Sequence, residues 1–191
     1  IKLLSYEEAV KRAFDRIAQQ EVLSSWIDAL SSDVLQSGIS KLIEVPTFGC
    51  FKDSRTRAVR NEKAVLDKIW SIGGSNGWYY ANWLWAIRGF LDKLAGGVGL
   101  RRGRKNETEI AAGDSLDFLR VIYASRTEKR LLLYAEMKLP GEAWLEFNIK
   151  NNSLHQIATF RPRGLWGRLY WFSVLPFHGL IFNGMINKIA Q

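Results

Sequence analysis

LLLYAEMKLPGEAWLEFNIKNNSLHQIATF, residues 131–160, is the stretch whose reading decides the fold. Its apolar period is two. Leu131, Leu133, Ala135 and Met137 alternate with Leu132, Tyr134, Glu136 and Lys138. After Pro140-Gly141, the residues Ala143, Leu145, Phe147 and Ile149 alternate with Trp144, Glu146, Asn148 and Lys150. Successive side chains of a strand point to opposite faces, so this pattern makes two-faced strands rather than helices. Pro-Gly and Asn151-Asn152-Ser153 carry turn chemistry, and Leu154 to Phe160 resumes the strand pattern. The reading is an antiparallel meander, with Asp117 to Tyr123 as an earlier strand.

On either side of the meander the period lengthens. Downstream, Arg163-Gly164 leads into an apolar helix that runs to about Ile189 and is kinked at Pro176. Upstream, Tyr80, Trp83, Leu84, Ile87, Leu91 and Leu94 recur every three or four residues, a strong helix signal ended by Gly96-Gly97. Before it, Asn61 caps a short helix with Val65, Leu66, Ile69 and Trp70 on one face, and Gly73-Gly74-Ser75-Asn76-Gly77 closes it. Phe51 to Val59 reads as a first strand. Ser5 and Glu8 form a capping box for an amphipathic helix over residues 6–20. The Ser-rich segment Ser24 to Gly49 reads as a connector. Two units follow: residues 1–45 as helix and connector, residues 46–191 as the compact domain.

This order of elements predicts an α+β fold with helices on one face of a curved antiparallel sheet that wraps the long C-terminal helix, plus an added N-terminal helix. A space between such layers is where apolar ligands are held.

Composition narrows the function classes. The chain has 191 residues, 47% hydrophobic and 24% charged, which excludes disordered and low-complexity classes. One cysteine, Cys50, forbids an internal disulfide and points to a reducing, cytoplasmic setting; the start of the chain carries no signal-peptide pattern. The net charge of +8 is concentrated in the second half, chiefly in Arg101-Arg102-Gly103-Arg104-Lys105 and in Arg161, Arg163 and Arg168. These clusters are short and accompany no nucleic-acid module, so nucleic acid is not an expected partner. Leu169 to Asn187 holds 19 residues without a formal charge, but its Pro, His, Gly and Asn residues argue for a buried, kinked helix over a stable membrane insertion.

The stretches GWYYANWLW (77–85), GGVGLRRGR (96–104), AEMKLPGEAWLEF (135–147), FRPRGLWGRLYW (160–171) and LPFHGLIF (175–182) resemble a bacterial domain-of-unknown-function family, number 2867. The likeness covers roughly residues 50–190. It implies a fold like the helix-grip superfamily of START lipid-transfer domains, polyketide cyclases and birch-pollen allergens, hence a ligand-holding cavity. It also implies a frequent N-terminal partner, an NAD(P)-binding, epimerase-like dehydrogenase domain. It implies no known reaction. The chain itself carries no Gly-x-Gly-x-x-Gly after a strand, so no cofactor is expected from these residues alone.

The candidate ligand-binding residues are Trp78, Tyr79, Asn82, Trp83, Arg120, Gln156 and His178. The aromatic helix carries apolar side chains beyond its main stripe, so a second apolar surface faces a ligand or a partner. Arg120 alternates with apolar neighbours on both faces, and its direction is open from the sequence. Gln156 is in register with Leu154 and Ala158, and His178 follows Pro176, where a carbonyl freed by the kink is its expected partner. Two distant histidines without a carboxylate pattern do not make a metal site, and no nucleophile elbow is present. The expected function is binding of a hydrophobic or amphipathic small molecule between sheet and C-terminal helix. The alternatives are the substrate-binding part of an NAD(P)-dependent reductase and an interaction module for anionic surfaces. The sequence leaves open whether the chain is an enzyme.

Overall fold

The computed structural model describes residues 5–8, 43–97, 99 and 109–191. Ser5 and Glu8 exchange capping-box hydrogen bonds and residues 6–8 are helical. The rest of the expected N-terminal helix, most of the connector and the 101–105 basic run lie outside the described residues.

Six antiparallel strands form one curved, open sheet: β1 (Phe51–Ala58), β2 (Ser115–Leu116), β3 (Leu119–Ser125), β4 (Arg130–Ala135), β5 (Gly141–Lys150) and β6 (Ser153–Pro162). Their spatial order is β1-β6-β5-β4-β3-β2. The meander therefore runs from one edge, and β1 completes the sheet beside the last strand. Helices α1 (Glu62–Trp70) and α2 (Asn82–Leu94) separate β1 from the meander, and α3 (Gly164–Ala190) follows it. The architecture is α+β and helix-grip-like.

Local chemistry sets these elements. Asn61 accepts a hydrogen bond from the Ala64 N–H, capping α1 at 3.1 Å. Asn151 and Asn152 both adopt positive φ, and they are the two turn residues that join β5 to β6. The expected strand from Asp117 to Tyr123 is corrected to a tight hairpin. Leu116 pairs with Leu119, and Asp117 makes the turn at φ 54°. Aspartate tolerates that left-handed conformation, which is why no glycine marks the turn. A bulge at Ile122 then shifts the register between β3 and β4, so Val121 faces Leu133 while Tyr123 faces Leu132.

The phase read for the meander holds. Leu131, Leu133, Ala135, Leu145, Phe147 and Ile149 join the main core on the inner face, together with Val65, Ile69 and Trp70 of α1 and Phe182, Met185, Ile186 and Ile189 of α3. On the outer face Ile122, Leu132, Tyr134 and Trp144 form a smaller cluster, packed against Val45. The strand β4 is thus covered on both sides.

Two helix expectations change. The apolar stripe of α2 does not enter the core. Trp85, Gly89 and Asp92 are its buried residues, while Trp83, Ile87, Leu91 and Leu94 are exposed. The C-terminal helix is not buried along its length either. Four of its buried residues follow Ile181 and only Gly167 and Trp171 precede it, whereas Leu165, Trp166, Leu169, Phe172, Leu175, Phe177 and Leu180 are exposed. It is long and apolar enough to cross a membrane by length and composition.

Candidate functional site

The sheet floor explains why a space opens beneath the first half of α3. Beneath its second half the inward positions are large: Leu131, Leu133, Phe147 and Leu154. Toward the other end of the same strands they become Ala135, Ala143 and Ala158. Three small side chains on neighbouring strands remove the atoms that would fill the gap. The result is a cavity of about 430 Å³, within the range of small-molecule sites.

Its walls come from α2 (Leu84, Trp85, Ile87, Arg88, Leu91), from α3 (Trp171, Val174, Phe177, His178, Ile181) and from Phe118, Met137 and Phe160. Ile87, Leu91 and Phe177 line it and yet are 47%, 58% and 55% exposed, which places the mouth between α2 and α3. The α2 stripe that the core does not use therefore faces the cavity and its opening. Behind it, Trp78, Trp85 and Phe118 stack with centroids 4.8–6.0 Å apart, which fixes one wall. At the other, Trp171 stacks between Phe51 and Phe160.

A few polar groups interrupt the apolar wall. Arg88 reaches across from α2, with Nη2 2.5 Å from the Tyr170 hydroxyl and 2.8 Å from Met137 Sδ. Asp92, one turn later, accepts hydrogen bonds from the backbone N–H groups of Gly99 and Lys138. His178 packs against Trp171 and Phe182 with centroids 5.2 and 4.8 Å away. Burial pushes its pKa down to about 4; the Asp53 carboxylate opposes this, and the Arg88 and Arg55 charges add to it. His178 is therefore neutral at pH 7. The expected bond to a freed carbonyl does not form at Nδ1, which is buried with no hydrogen-bond partner.

The other expected site residues lie elsewhere. Trp78 is core, its indole N–H donating to Asp117 at 3.0 Å. Burial raises the Asp117 pKa, and that hydrogen bond opposes the rise. The Tyr79 hydroxyl donates to the Lys68 carbonyl, on α1. Asn82 accepts from the Trp78 N–H and so shapes the entry to α2. Trp83 points outward from α2. Arg120 is fully buried but faces away from the cavity, because its neighbours Leu119 and Val121 take the inner face. There it forms a paired hydrogen bond with Glu136, both at 3.1 Å, and donates to the Gly113 carbonyl. Glu136, its partner, is buried with it. Gln156 points inward and is buried, yet it is not part of the cavity wall, and neither of its amide atoms has a hydrogen-bond partner. Of the seven, His178 lines the cavity.

The sequence reading missed Arg88 and the alanine floor. Arg88 sits within the apolar stripe, between Ile87 and Leu91, and a cation there was the available signal. Among the described residues no group of His, Cys, Asp or Glu could hold a metal ion. A second, shallower groove of about 360 Å³ lies over α3 and Tyr80, lined by Gly179, Asn183, Gly184 and Asn187.

No curated protein matches the chain. The family described as "Protein of unknown function (DUF2867)" matches residues 50–185, from the residue before β1 to well into α3. That span contains the whole sheet and every residue of the cavity wall, and the chain belongs to the DUF2867 family.

Proposed function

We propose that this domain binds a hydrophobic or amphipathic small molecule in the cavity between α2, α3 and the sheet. The observation that carries the reading is the alanine floor under an aromatic and aliphatic wall. A gap of this size that stayed empty would forfeit dispersion contacts all round its lining. A ligand restores them and removes the half-exposed Ile87, Leu91 and Phe177 from water. The largely apolar wall is what supports binding as the function.

The test is direct. Native mass spectrometry of the purified chain, and titration with a solvatochromic apolar dye, should reveal an occupant or a saturable site. Ala158→Phe should abolish dye binding by filling the floor. Dye binding by the wild type that Ala158→Phe leaves unchanged would sink the proposal.

A second reading concerns the outside of the same helices. On α2 the one acidic residue, Asp92, is buried, and α3 has none. The exposed Trp83, Phe90, Trp166 and Phe172 lie on helices that also carry Lys93, Arg168 and Lys188. Aromatic and basic groups without acids suit contact with an anionic surface. Flotation with acidic and with neutral lipid vesicles tests it; equal partitioning to both would contradict it.

A further inference from the structure

We infer that the ligand is an anionic amphiphile, a chain ending in one carboxylate-type head, held with that head at Arg88 and its chain over the alanine floor. This rests on the cavity reading of the preceding section and adds the ligand's charge.

Arg88 lines an apolar cavity, and no carboxylate stands within ion-pair distance of it among the described residues. Its nearest acidic neighbour on the helix, Asp92, is turned to the backbone N–H groups of Gly99 and Lys138. The protein's own contacts to the Arg88 guanidinium are uncharged: a phenol oxygen, a thioether sulfur and the Tyr170 ring face at 5.7 Å. A guanidinium has five N–H donors in a fork that matches a carboxylate. The Tyr170 oxygen accepts from Arg88, so its own O–H is left to donate. His178, on α3, adds a buried ring nitrogen with no partner to the lining. Arg88 and the Tyr170 hydroxyl therefore present donors on this wall. A neutral apolar guest would leave these donors unmatched, whereas a carboxylate accepts from several at once.

Dodecanoic acid and dodecanol differ only in that head. At pH 7, by calorimetry or dye displacement, the acid should bind the wild-type chain at least ~10-fold more tightly, the usual size of one charge-assisted hydrogen bond. Arg88→Met should bring the acid's affinity down to that of the alcohol measured on the same variant. Arg88→Lys should keep part of the preference, as a point charge without the fork. Equal affinity of the wild type for acid and alcohol would overturn the charge assignment and leave the cavity reading standing, as would a preference that survives Arg88→Met. Binding of neither compound would overturn both.

Discussion

The two halves of α3 share a composition and have opposite fates. From Ile181 onward the helix is fixed by Phe182, Met185, Ile186 and Ile189 against a floor of large side chains. Before that point it carries more large apolar residues, yet it bridges a cavity and shows Leu165, Trp166, Phe172 and Phe177 to solvent. The helix does not decide which half is core. The strand residues beneath it do, through large side chains at one end and three alanines set among Leu145 and Phe160 at the other. Apolar sequence supplies a surface to be covered, and the size of the opposing side chain settles whether the protein or something else covers it.

That contrast is breakable, beginning with its packed half. Ile186→Ala should cost about 2–5 kcal/mol in denaturant unfolding, as burial there is complete and the lost volume has no neighbour ready to fill it. Acid should come next. Because the His178 pKa is about 4 when folded and near 6.5 when unfolded, the unfolded chain binds more protons between those values. Stability is then fully present above about pH 6.5 and declines toward pH 4, by on the order of 3 kcal/mol from this group. His178→Phe should flatten that part of the pH profile; an unchanged slope would mean that other groups produce it. Ala158→Leu should be nearly neutral or stabilising by up to about 1 kcal/mol, since it enters a void rather than a packed core, while ligand capacity falls. A loss of several kcal/mol would show the floor to be full already. The smallest effect belongs to the exposed half: Trp166→Ser should change stability by no more than about 0.5 kcal/mol.

The parts of the fold visible in the sequence are those decided by neighbours in the chain. The period of two in residues 131–160, the Asn61 cap and the Asn151-Asn152 turn are each local, and each has its structural counterpart. The β2–β3 hairpin was hidden because its turn uses Asp117 rather than glycine. That same turn sends both Phe118 and Leu119 into the core, so alternation across it does not orient Arg120, and its partner Glu136 lies 16 residues away. The orientation of α2 was hidden for a different reason. Its apolar stripe marks the face that a packed helix would bury, but a cavity and its mouth occupy that side, and the core takes Trp85 and Gly89 instead. The floor was in plain sight as Ala135, Ala143 and Ala158. Only the register, with Tyr134 opposite Trp144 and Leu145 opposite Ala158, brings Ala135 beside Ala143 and sets Ala143 diagonal to Ala158.

The aromatic wall has one more consequence, for spectroscopy. Trp85 and Trp171 face the cavity from opposite helices, while Trp83 and Trp166 face solvent from the same two helices. An occupant that dries the space changes the emission of the first pair and leaves the second as an internal reference, which a polar quencher silences. The chain is thus its own fluorescent gauge of whether its interior is filled.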